Sequence, residues 1–124
     1  MRPDNNINGE RGDRWEAQLR KGCLEMAILA SLWDGKLYGL EMLRVLSEKS
    51  GMELAEGTLY PILARLKAEG MLHSEWVEAD AGHPRKYYWL TPAGRRRTRE
   101  MVDAWSNFSS SLSALVQPVS GGRK

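Results

Sequence analysis

From about Trp15 to Trp33, apolar side chains recur at Trp15, Leu19, Cys23, Met26, Ala30 and Trp33. Their spacings of 4, 4, 3, 4 and 3 mark one face of a helix. Leu24, Ala27, Ile28, Ser31 and Leu32 form a second, adjoining face. A helix that is apolar on two faces is covered on two sides, so one face can pack on its own domain and the other is left for something else. Asp34-Gly35-Lys36 ends this helix, glycine being the usual residue just past a helix end. A second helix is predicted from about Tyr38 to Lys49, with Leu40, Leu43 and Leu46 as its inner stripe and Ser50-Gly51 as its stop. A third begins a few residues before Pro61, which fits only near a first turn. It ends at Gly70 and carries Leu59, Ile62, Leu63 and Leu66 on its inner face.

The period then changes. Met71 to Glu78 and Arg85 to Leu90 are rich in Trp, Tyr, Val and Leu and flank Ala79-Asp80-Ala81-Gly82-His83-Pro84, which predicts a β-hairpin. The inward phase of its strands stays open, because Leu72 and Trp76 compete with Met71 and Val77 for the core. Thr91-Pro92 starts a last helix, with Thr91 as N-cap and Pro92 at the first helical position, running to about Val116. Along it Met101, Trp105, Phe108, Leu112 and Leu115 follow spacings of 4, 3, 4 and 3, a seam of the coiled-coil type that needs a partner. The order helix, helix, helix, hairpin, helix predicts an α+β, mainly α chain. It is a winged helix-turn-helix with an N-terminal helix and a long C-terminal dimerisation helix. The expected organisation is a disordered tail over 1–14, the winged domain over 15–90, the dimerisation helix over 91–116 and a second tail over 117–124.

With 124 residues, 42% of them hydrophobic, the chain can build one core but not two. Its net charge of +2 announces no anionic partner by itself; the distribution says more. Residues 85 to 99 hold Arg85, Lys86, Arg95, Arg96, Arg97 and Arg99 and no acid. Four of these arginines crowd the start of the last helix, where cations oppose the helix dipole. Either an anionic partner offsets that, or the face is solvated with Arg96–Glu100 and Arg99–Asp103 pairs. Cys23 is the single cysteine and reads as a small buried hydrophobe, which excludes an intramolecular disulfide and a cysteine metal site. The polar N-terminus is no signal peptide, and no segment reaches the roughly 20 apolar residues of a membrane span. A cytoplasmic chain without membrane attachment is the expectation. His73 and His83 are the only histidines, and there is no metal-ligand spacing, phosphate loop or paired-carboxylate signature. Neither an enzyme nor a cofactor is predicted.

Three stretches carry a resemblance. Gly57-Thr58-Leu59-Tyr60-Pro61-Ile62-Leu63-Ala64-Arg65-Leu66, with Glu69-Gly70-Met71-Leu72, resembles the third helix of the PadR family. Pro84-Arg85-Lys86-Tyr87-Tyr88-Trp89-Leu90-Thr91-Pro92-Ala93-Gly94-Arg95 resembles its wing strand and the start of its final helix, and Leu37-Tyr38-Gly39-Leu40-Glu41 the start of its second. The single long C-terminal helix matches the short form of that family. The resemblance implies a homodimeric bacterial transcriptional regulator, usually a repressor. It dimerises through the last helix with help from the first, and binds operator DNA through the third helix and the wing. Some members sense small aromatic compounds. The chain departs from the family at His83, where arginine is frequent, and at Trp89, where the family has a basic or polar residue.

The residues agree with that implication. A helix N-terminus in the major groove presents its first side chains to base edges and its free N–H groups to phosphate. Thr58 and Tyr60 supply hydroxyls there, Gly57 permits close approach, Arg65 and Lys67 lie further along, and Tyr38 opens the neighbouring helix. Arg85 and Lys86 of the wing are suited to phosphate. These eight are the candidate contacts to double-stranded DNA. The candidate dimer contacts are Leu19, Met101, Trp105, Phe108, Leu112 and Leu115. Trp15, Trp33 and Trp105 belong to the same helices and, where those helices meet at a dimer interface, form a candidate pocket for a flat aromatic effector. The rival reading is a winged-helix module that binds protein and not DNA.

Overall fold

The computed structural model describes residues 3–78 and 82–121. Four helices and a small sheet follow in the order α1 (Pro3–Ser31), β1 (Leu37–Tyr38), α2 (Gly39–Ser50), α3 (Glu56–Ala68), β2 (Leu72–Val77), β3 (Arg85–Leu90) and α4 (Pro92–Ser120). The two apolar faces of α1 divide as their pattern predicts. Leu24, Ile28 and Leu32 are buried with Leu29, whereas Trp15 and Leu19 stay more than half exposed. Met42 and Leu46 of α2, Leu59, Leu63 and Leu66 of α3, and Leu72, Tyr88 and Leu90 of the sheet complete one core.

Two helices end on glycines whose positive φ only glycine adopts without strain. Gly51 (φ 72°) follows α2 and Gly70 (φ 82°) follows α3. The N–H of Met71 then reaches back to the carbonyl of Leu66 at 2.9 Å. Thr91 ties this corner together. Its hydroxyl donates to the Gly70 carbonyl at 2.6 Å and accepts from the Gly94 N–H at 2.9 Å, so it caps α4 and anchors it to the end of α3. A Cβ at Gly94 would overlap the Met71 carbonyl oxygen, a backbone atom that cannot swing aside. Gly94→Ala should therefore lower stability by about 1–3 kcal/mol, the usual range for overpacking, as read from a urea midpoint.

Several elements differ from the sequence pattern. α1 starts at Pro3, so the expected tail over 1–14 is helical from that residue; once a helix is nucleated further on, each added residue costs little. Residues 1 and 2 lie outside the described residues. α4 runs on through Gln117, Pro118 and Val119 to Ser120, past the Val116 end, and of the expected second tail residues 122–124 lie outside the described residues. α2 turns Gly39, Met42 and Leu46 inward, so Leu40, assigned to the inner stripe, is 49% exposed, while Leu43 packs at the edge of the core. A third strand also joins the hairpin, β1 pairing antiparallel with β3 through Leu37↔Tyr88 and Tyr38↔Tyr87. The open phase of the wing resolves with Leu72, Tyr88 and Leu90 inward and Trp76 and Val77 exposed.

Candidate nucleic-acid interface

Tyr60 in the second turn of α3, the first turn of α2 and the wing meet around one open cleft of about 410 Å³. Tyr38, Gly39, Leu40, Tyr60, Arg85, Lys86 and Tyr88 line it. Tyr60 leaves α3 against the start of α2 so closely that a Cβ at Gly39 would fall on its hydroxyl. Tyr38 is held by its own backbone, whose N–H donates to the Glu41 carboxylate at 3.1 Å. Its ring meets the Tyr87 ring edge-on at 5.4 Å, and the Arg85 guanidinium lies 4.6 Å from its centroid. The wing cation is thus seated on an aromatic ring, and it pairs with no acid among the described residues.

Burial pushes the Tyr60 phenol above its ordinary range, with the Glu56 carboxylate adding to the effect. Burial does the same for Tyr88, with Tyr60 as the second cause. Both hydroxyls are protonated at neutral pH, as phenols ordinarily are, and the shifts extend that range further into alkali. A phenol whose folded pKa is raised contributes stability that is complete below its unfolded pKa and is lost as pH rises through the folded one. No loss from these two groups is expected between pH 6 and 9, and a decline is expected only in alkali above the ordinary phenol range, checked by thermal melts across pH.

Of the other predicted contacts, Gly57 and Thr58 are exposed on the first turn of α3. Nothing lies within 4 Å of a Cβ built at Gly57, and its φ is not positive, so the fold itself does not require glycine there. Gly57→Ala should raise stability by about 0.5–1 kcal/mol, the helix-propensity difference, and weaken DNA binding. A paired melt and binding titration checks both signs. Lys67 is exposed further along α3. Arg65 stands apart. Its guanidinium donates to Glu25 of α1 at 2.9 Å and to Glu69 at 3.2 Å, and these bonds hold it firmly in the charged form. They join α3 to α1. Three of the four arginines at the start of α4 are likewise engaged inside the chain. Arg95 lies 3.9 Å and Arg99 5.0 Å from the Trp33 ring centroid, and Arg97 pairs with Glu100 at 3.4 Å. Neither the Arg96–Glu100 nor the Arg99–Asp103 pair forms among the described residues.

A second feature lies between α1 and α4. α4 is buried only at its beginning, at Gly94 and Thr98, and then leaves the core. There an apolar groove of about 640 Å³ is lined by Leu19, Cys23, Met26, Met101, Trp105, Phe108 and Leu112. Five of the six predicted dimer residues thus share one surface, and Leu115 continues it at 76% exposure. Cys23, expected to be buried, is only partly so, because it faces this groove. Among the described residues of the single chain, the three tryptophans line no one hollow together. Trp105 lines the groove, Trp33 lines a separate small hollow beside Arg99, and Trp15 lines neither. The reason is that Arg95 and Arg99 draw Trp33 onto the first turns of α4.

The model of the PadR-like transcriptional regulator family matches residues 28–100, from the buried half of α1 into α4. The chain belongs to this family. It is 34% identical over 106 residues to a Mycobacterium tuberculosis protein named transcriptional regulator Rv3488, covering 86% of this chain and 91% of that one. A PadR family transcriptional regulator from Eggerthella lenta matches in structure with a TM-score of 0.80 at 31% identity, over 89% of this chain and 96% of that one. A PadR-like regulator from Bacillus cereus matches with a TM-score of 0.73 at 30% identity, over 81% and 97%. The PadR-like winged-helix fold accounts for the three-stranded wing and the projecting C-terminal helix. No described helix is long and apolar enough to cross a membrane.

Proposed function

We propose that this PadR-like regulator binds double-stranded DNA as a homodimer in the cytoplasm, recognising a pseudo-palindromic operator and repressing transcription by occupying it. The observation that carries the reading is the cleft in which Tyr38, Tyr60, Arg85 and Lys86 meet beside the exposed first turn of α3. Hydroxyl donors and ring-seated cations on one face suit base edges and phosphates. The apolar groove between α1 and α4 supports self-association, since two-fold packing of one seam on its copy closes the assembly. Two α3 helices would then read half-sites roughly 34 Å apart. A flat aromatic effector would enter the same groove between copies of Trp105, and quenching of tryptophan emission by planar aromatics tests it.

An anisotropy titration against the duplex upstream of its own gene, with random duplex as competitor, tests the main reading. Binding should survive competitor, saturate at two chains per site and weaken linearly in log–log with salt. Absent binding, or binding indifferent to salt, would favour a winged-helix module that docks on protein.

A further inference from the structure

Two side chains of the cleft have no role in that reading. Trp76 shares a face of β2 with buried Leu72, since their cross-strand partners are Lys86 and Leu90 on β3, yet it is 65% exposed because it extends past the edge of the core. Leu40 projects from the first turn of α2 and is also exposed. Both line the cleft with Tyr60 and Lys86. The Lys86 ammonium lies 5.6 Å from the Trp76 ring centroid and 5.9 Å from that of Tyr88. The cleft therefore sets apolar surface beside cations, and among the described residues no carboxylate lines it.

We propose that Trp76 and Leu40 grip a deoxyribose of the duplex backbone while Lys86 and Arg85 hold the phosphates on either side of it. This rests on the DNA-binding reading above and adds residues to it. A nucleic-acid strand alternates uncharged sugar with anionic phosphate, which is the pattern of the cleft. An unpaired strand is a poorer match, because stacking platforms offer successive free rings. Here Tyr38 and Tyr87 are taken up by each other, and Tyr88 is buried. Sugar contacts carry no sequence information, so Trp76 and Leu40 set affinity for any duplex and leave operator choice to the first turn of α3.

The test is an anisotropy titration of the full chain against a labelled random-sequence duplex over a range of salt. Trp76→Ala should bind roughly tenfold more weakly and Leu40→Ala roughly threefold. Both should leave the slope of log K against log salt unchanged, and Trp76→Phe should recover most of the loss. Lys86→Ala should flatten the slope by about 1 for each phosphate contact removed. Folded Trp76→Ala that binds like wild type would overturn the proposal. So would a loss accompanied by a flattened slope, since Trp76 would then only seat Lys86, and so would preference for single-stranded over duplex DNA. Wild-type chain that binds no duplex at low salt would instead remove the DNA-binding reading itself.

Discussion

Replacing Trp105 with arginine should turn the protein into a folded monomer that no longer holds operator DNA tightly. Trp105 is half exposed in the single chain, on the part of α4 that has left the core, so a cation there is solvated and costs the monomer little. In the proposed dimer it would enter a groove lined by Leu19, Met26, Met101, Phe108 and Leu112. A charge buried without a partner costs about 3–5 kcal/mol, and two-fold symmetry brings two of them together. Each 1.4 kcal/mol is tenfold in an equilibrium constant, so dimerisation should weaken by a factor of at least about 100. Operator binding should fall with it, because each half-site must then be found separately. Sedimentation equilibrium gives the mass, and far-ultraviolet circular dichroism confirms that helix content persists. Trp105→Leu, which keeps the seam apolar, should remain dimeric. A Trp105→Arg protein of dimeric mass would place the interface elsewhere.

Tyr60→Ala should leave the dimer intact and weaken specific DNA binding by roughly thirtyfold or more, since a lost contact is worth at least about 1 kcal/mol and occurs in both half-sites. The ring closes the cleft against Gly39, and its hydroxyl, protonated in neutral solution as any phenol is, has its pKa raised further by burial. Both properties are removed by alanine. Tyr60→Phe separates them, keeping the ring on Gly39 and deleting the donor. If the hydroxyl makes the DNA contact, Phe should resemble Ala in a competition titration; if the ring's shape matters more, it should resemble wild type. Operator affinity unchanged in Tyr60→Ala would move the interface away from the start of α3.

Much of the fold is written locally. The two faces of α1, the inner face of α3, the glycine stops at Gly51 and Gly70, the Thr91-Pro92 start of α4 and its seam are all patterns within a single element or at its end, each with its own local energetics. The cleft is legible to the extent that its cations and hydroxyls fall at recognisable places on predicted elements. Tyr38, Tyr60, Arg85 and Lys86 were identifiable in this way, as was the groove that Trp105 and Phe108 line. Trp76 and Leu40 were visible only as apolar residues of undecided or inward phase.

Tertiary structure decided what each face touches. Strand β1 spans two residues, too few to show a period, and exists because β3 offers an edge to pair with. Leu40 is exposed because Gly39 must abut Tyr60, which sets the rotation of α2. Arg65 is captured by Glu25, forty positions earlier, and Arg95 and Arg99 by Trp33, so residues that look free for phosphate are already engaged. Periodicity reports which side of an element avoids water. It carries no information on which distant residue meets that side, because such meetings depend on the mutual placement of elements that the whole core fixes at once.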